Sequence, residues 1–132
     1  MNNARNGAQI RVLVADDDPS LRLALTMVFQ RAGHDVVAAE HTDAAREIVA
    51  ADRADVALID AGMPRDGVAF WKECREGDNA LAGALLVTGD VWALGELARH
   101  PMVLEKPFDF RALVERVERL AAAGDQPGSP PV

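Results

Sequence analysis

Val56 to Pro64 reads VALIDAGMP, an apolar run that stops at an acid and passes straight into a Gly-Met-Pro turn signal. A short run rich in branched residues and bounded by turn residues is the pattern of a strand buried on both faces, as parallel strands are. Asp60 then stands at the carboxyl end of that strand. In open α/β sheets this is the edge where ligands bind, so its carboxylate is a candidate for chemistry. A turn-forming Asp that caps the following segment fits the same letters equally well. The rest of the chain has to separate the two.

Upstream, Ile10 to Ala15 (IRVLVA) repeats the apolar pattern and runs into Asp16, Asp17 and Asp18. Pro19 directly after Asp18 marks a helix entry with Asp18 as N-cap. The helix carries Leu21, Ala24, Leu25 and Val28 at i, i+3, i+4 and i+7, and Gly33 closes it. Asp35 to Glu40 makes a weaker second strand, and Thr42 opens a helix with Ala44, Ala45, Ile48 and Val49 on its apolar face. Downstream, a helix over about Gly67 to Glu76 offers Val68, Phe70 and Trp71 for packing, and Ala84 to Thr88 (ALLVT) is a fourth strand. A fourth helix over about Val91 to Arg99 and a fifth strand from Met102 to Glu105 follow. The last helix starts near Asp109, with Phe110, Leu113, Val114, Val117, Leu120 and Ala121 on one face.

Five strands alternating with five helices predict an α/β fold, a parallel sheet covered on both faces. The right-handed crossover rule leaves few topologies, and the flavodoxin-like (βα)5 three-layer sandwich with sheet order 2-1-3-4-5 is the one expected. Residues 1–9 read as a flexible tail, 10–122 as the folded domain, and 123–132 as a disordered tail or linker.

At 132 residues and 49% hydrophobic content the chain is one domain able to bury its own core. A net charge of −7 argues against unspecific binding to nucleic acid or anionic membranes, which calls for a basic patch. The single cysteine, Cys74, fits a reducing compartment and sits in a helical pattern as a small packing residue. No apolar run approaches the roughly 20 residues a membrane span requires, and no signal peptide is recognisable, so the expected location is the cytoplasm.

The predicted topology sets strands one and three side by side, which brings Asp16 and Asp17 close to Asp60. Thr88 ends strand four and Lys106 follows strand five, so five polar residues converge on one edge. Two like charges about 4 Å apart repel by roughly 4 kcal/mol at an effective dielectric near 20. Either a carboxyl protonates or a cation binds. Oxygen ligands without His or Cys at ligand spacing favour Mg²⁺ over zinc. A bound Mg²⁺ attracts a phosphoryl group, for which Lys106 and the Thr88 hydroxyl would complete the cradle.

Asp16-Asp17, Asp60 within DAGMP, Thr88-Gly89 and Lys106-Pro107-Phe108 together resemble the receiver domain of bacterial two-component response regulators, of the chemotaxis-regulator kind. The resemblance covers about Gln9 to Ala122. It implies that Asp60 accepts a phosphoryl group from a phosphohistidine to form an acyl phosphate, with Asp17, Asp60 and the Gly62 carbonyl as Mg²⁺ ligands and Asp16 acting mainly through a water. It further implies that Thr88 bonds a phosphoryl oxygen in the active state and that Lys106 pairs with Asp60 before phosphorylation. The Lys106-Pro107 bond would be cis. The implied partners are a sensor histidine kinase or phosphotransfer protein and a downstream protein met through the face of helix four, strand five and helix five, with a phosphorylation-dependent homodimer as one form of output.

The chain departs from that family in places. Val103 stands where receivers usually carry Tyr or Phe, and Trp92 is a candidate substitute aromatic. The interval from Thr88 to Lys106 is short, which suggests a truncated fourth helix or a trimmed loop beside it, and the loop after Pro64 looks shortened by one residue. Asp90 and Gly62 occupy places that in the family influence hydrolysis of the acyl phosphate. Two other functions are open. A phosphorylation-independent scaffold is supported by Val103. A Mg²⁺-dependent phosphohydrolase of the haloacid dehalogenase kind is disfavoured by Gly62, which stands where its general acid would be.

Overall fold

The structure is a computed structural model and describes residues 9–63, 66–77 and 80–125. Pro64 of the turn signal, residues 1–8 of the expected leading tail and 126–132 of the closing one lie outside the described residues. Five strands, β1 (Arg11–Ala15), β2 (Asp35–Ala39), β3 (Val56–Asp60), β4 (Gly83–Thr88) and β5 (Val103–Glu105), form one parallel sheet in the order β2-β1-β3-β4-β5. The helices are α1 (Pro19–Arg31), α2 (Thr42–Ala50), α3 (Gly67–Glu76) and α4 (Phe110–Asp125). The flavodoxin-like sandwich is therefore the fold.

Alternation along the central strands explains the two cores. Leu13, Ala15, Ala57, Ile59 and Leu86 point to one face, where Ala45 and Ile48 of α2 and Phe70, Trp71 and Cys74 of α3 cover them. Val12, Val14, Val56, Leu58 and Leu85 point to the other, against Leu25 and Phe29 of α1 and Leu113 and Val117 of α4. Both faces of β3 are sealed, and all five of its residues are buried. Trp71 is placed by more than shape, because its buried indole N–H donates to the Ala84 carbonyl at 2.8 Å.

Local chemistry sets the ends. Asp18 caps α1, its carboxylate accepting from the Ser20 and Leu21 N–H groups, and Gly33 at φ 95° provides the left-handed exit. At the sheet's amino edge, buried His34 accepts the Ile10 N–H at Nδ1 (3.2 Å), while its Nε2 lies 2.7 Å from Glu118 of α4. Helix α4 continues to Asp125, three residues into the stretch expected as tail, since Ala121 to Ala123 are good helix formers.

The segment expected as a fourth helix is the main departure. Val91–Arg99 spans the anticipated residues, but it is two pieces of 3-10 turn joined at Gly95, whose φ of 61° no right-handed helix accommodates. None of its nine residues is buried. The expected span is thus kept, with tighter and broken winding in place of an α-helix.

Candidate functional site

Register fixes which side chains meet at the carboxyl edge. Ala15 pairs with Ile59, Asp60 with Val87 and Thr88 with Glu105, so the residues leaving β1, β3, β4 and β5 emerge side by side. Asp16, Asp17 and Asp60 each offer a carboxylate oxygen, and these oxygens lie within 4.8 Å of one another. Asp16 and Asp60 are 3% and 8% exposed, whereas Asp17 faces solvent. Lys106 Nζ sits 3.4 Å from Asp16 Oδ2 and 3.6 Å from Asp60 Oδ1. The lysine thus stands between two acids rather than on Asp60 alone. Its peptide bond to Pro107 is cis, and its backbone N–H donates to the Thr88 carbonyl at 2.7 Å, which ties β5's exit to β4.

Each site residue is held by its neighbours. Gly62 donates its N–H to Asp60 Oδ1 at 3.1 Å, and the Met63 N–H closes the turn onto the Asp60 carbonyl. Gly67 opens α3 directly over that carbonyl: a Cβ at Gly67 would lie 2.3 Å from the Asp60 oxygen, a contact only glycine avoids. Asp66 supports the approach by capping α3 from a left-handed conformation (φ 68°). The buried Thr88 hydroxyl accepts the Asp90 N–H at 3.0 Å. Arg22, which carries no motif, donates to the Asp16 carbonyl at 2.7 Å. Neither Arg22 nor Gly67 was legible as a site residue, because their roles depend on where α1 and α3 begin relative to the strands.

Electrostatically the cluster is strained. Burial raises the Asp60 carboxyl above its usual range, and the charge of Asp16 adds to the shift, while the Gly62 N–H and Lys106 oppose it. Three carboxylates face one ammonium. An all-oxygen donor set with surplus negative charge, partly open through Asp17, fits a hard divalent cation such as Mg²⁺. Val103, Leu94 and Leu97 are each partly buried against the core cluster, whereas Trp92 is 73% exposed.

A parallel sheet in this order with such an acidic edge defines a class of signalling domain, and comparison with known proteins agrees. Residues 12–118 match the response regulator receiver domain family, and the chain belongs to it. It is 33% identical over 117 residues to the virulence transcriptional regulatory protein PhoP of Salmonella typhimurium, covering 84% of this chain and 51% of that protein. The chain thus spans about half the length of PhoP. It is 29% identical over 117 residues to the response regulator receiver protein CpdR of Brucella abortus, covering 86% of this chain and 98% of CpdR. Among solved structures, the response regulator TrrA of Thermotoga maritima, determined with Mg²⁺-BeF, superposes with a TM-score of 0.72 at 26% identity over 85% of this chain and 99% of that one. No helix among the described residues is long and apolar enough to cross a membrane.

Proposed function

We propose that this domain accepts a phosphoryl group on Asp60 from the phosphohistidine of a histidine kinase or phosphotransfer protein, in a Mg²⁺-dependent reaction, and signals by a change of conformation to a protein partner. The observation that carries it is the meeting of Asp16, Asp17, Asp60 and Lys106 at one edge of the sheet, with Asp60 buried and charge-crowded. A carboxylate oxygen of Asp60 attacks phosphorus as the P–N bond to the donor imidazole breaks, and the imidazole nitrogen leaves with the bonding pair and takes up a proton. Asp17, Asp60 and the Gly62 carbonyl would hold Mg²⁺, with Asp16 acting through a water; the Asp18 N–H and Lys106 already engage its two oxygens. The cation neutralises charge on the phosphoryl oxygens.

Thr88 and Lys106 read the result. A phosphoryl group on Asp60 adds about −1.5 to −2 of charge and new acceptor oxygens. Lys106 moves its pairing to that group, and the Thr88 hydroxyl exchanges the Asp90 N–H for donation to a phosphoryl oxygen. Freed at Asp90, the Val91–Arg99 segment rearranges and presents its face with β5 and α4 to the partner or to a second copy. The domain is a phosphoacceptor that catalyses only its own phosphorylation and dephosphorylation. That TrrA was solved in complex with Mg²⁺-BeF supports a Mg²⁺ site here.

Intact-mass spectrometry after incubation with acetyl phosphate and Mg²⁺ tests the reading. A single phosphoryl adduct that is absent in Asp60→Asn and absent in chelator is expected. An adduct that survives Asp60→Asn, or none at all in the wild type, refutes it in favour of a scaffold.

A further inference from the structure

The backbone and side chain of Asp16 are gripped at every polar atom. Its N–H donates to the Ala39 carbonyl at 3.1 Å, and its Oδ1 accepts the Asp18 N–H at 2.8 Å. Oδ2 faces Lys106. The remaining atom, the carbonyl oxygen, accepts from Arg22 Nη1 at 2.7 Å, the one charged donor among these backbone contacts. Arg22 Nη2 lies 3.9 Å from Glu40, which directly follows the β2 residue that Asp16 already contacts. A single guanidinium therefore joins the first turn of α1 to the ends of β1 and β2. Its side chain is 21% exposed, so the contact is sheltered.

We propose that Arg22 is a positioning residue for the divalent-cation site. By holding the Asp16 carbonyl it fixes the angle at which the β1-α1 turn presents Asp16 and Asp17 to the cation. The inference rests on reading the acidic cluster as a Mg²⁺ site. Two effects compete. As a bare positive charge beside three carboxylates, Arg22 repels an incoming cation, and removing it would tighten binding. As an orienting partner one bond behind the ligands, it raises affinity, and its loss costs on the order of tenfold. The short, sheltered contact to the Asp16 carbonyl favours the second effect, because the guanidinium charge is already shared with that carbonyl and with Glu40.

Titration of the ¹⁵N-labelled full chain with MgCl₂, followed through the amide shifts of Asp17 and Gly62, measures the affinity without any turnover. Arg22→Ala is expected to weaken Mg²⁺ about tenfold, and Arg22→Lys, which keeps a donor on a flexible stem, to recover part of that loss. Shifts in the cation-free spectra of both variants should stay within the β1-α1 turn and the end of β2. Arg22→Ala binding Mg²⁺ as tightly as the wild type or tighter overturns the proposal alone. Shifts spread across the whole sheet in both variants also overturn it, by assigning Arg22 to general upkeep of the fold. A wild-type spectrum that Mg²⁺ leaves unmoved overturns the metal-site reading and this inference together.

Discussion

Replacing Asp60 by Asn should make the cation-free domain more stable, although it destroys the proposed phosphoacceptor. At 4.8 Å, the outer limit of the oxygen separations, and an effective dielectric near 20, each carboxylate pair costs at least about 3.5 kcal/mol, so Asp60 meets at least about 7 kcal/mol from Asp16 and Asp17. Lys106 at 3.6 Å returns about 4.6 kcal/mol. Solvent at exposed Asp17 roughly halves its share, which leaves the Coulomb contributions near balance. The cost of burying a charged carboxylate, the first cause of Asp60's raised pKa, then decides the sign. Asn keeps an oxygen for the Gly62 N–H without that cost, and the expected gain is about 1 to 2 kcal/mol at pH 7.

The pH dependence follows from the direction of the shift. The folded state holds the Asp60 proton more tightly than the unfolded chain does, so its contribution to stability is full below the unfolded carboxylate range and is lost as pH rises through the raised folded pKa. The advantage of Asp60→Asn should therefore shrink on acidification toward pH 4. Urea unfolding of both proteins in chelator at pH 7 and pH 4, repeated with Mg²⁺ at pH 7, is the assay. Mg²⁺ at ten times its Kd should restore about 1.4 kcal/mol to the wild type and almost nothing to Asp60→Asn. An Asn variant no more stable than the wild type in chelator at pH 7 would show that Lys106 alone quiets the cluster.

Gly67→Ala, whose Cβ would lie 2.3 Å from the Asp60 carbonyl, should cost about 3 kcal/mol in denaturant unfolding, whereas Gly62→Ala meets only ordinary contacts at 3.7 Å and should stay within about 0.5 kcal/mol. The Cys74 thiol, pushed up to about 12 by burial, should react with a thiol reagent at neutral pH only as fast as the protein opens; rapid stoichiometric labelling of folded protein would count against this. Asp55 is held below the usual carboxylate range by its hydrogen bonds to Arg11, so it stabilises the fold above that range and the contribution fades as pH falls through the lowered pKa. Asp55→Asn should lower stability by about 1 kcal/mol at pH 7 and by little near pH 3, read from urea unfolding of that variant and the wild type at the two pH values.

The sheet was legible because its strands are apolar runs ended by acids or a threonine, and parallel order follows from the alternation of elements. Asp18 at the N-cap and Gly33 at the exit were legible for the same reason, since their roles are settled within one turn of chain. Phe29 was not singled out, yet it is fully buried on α1, because it lies one position beyond the i+7 residue Val28 on the same stripe. Gly95 lies inside the stretch expected as a helix, and its positive φ shows the break. The acids, Thr88 and Lys106 could be named from where strands end. Their geometry could not, and Lys106's position between Asp16 and Asp60 came only with coordinates. Arg22 and His34 left no trace in the sequence: His34 meets Glu118 from a remote element, and Arg22's reach back to the Asp16 carbonyl depends on how α1 leaves β1.

The shallow seating of Val91–Arg99 has an energetic corollary for communication. Reversing a two-state balance from 1:99 to 99:1 requires about 5.5 kcal/mol of differential interaction. A fully sealed helix would add the exposure of several large side chains to that sum, at about 1.5 to 3 kcal/mol each. Here no fully buried side chain has to leave the core: Leu94 and Leu97 are only partly buried against it, and the Thr88 hydroxyl holds the start of the segment through the Asp90 amide. On the proposed reading, a push at the sheet's edge would have to lift only the half-buried Leu94 and Leu97 to reshape that surface, which leaves the fully buried side chains in place.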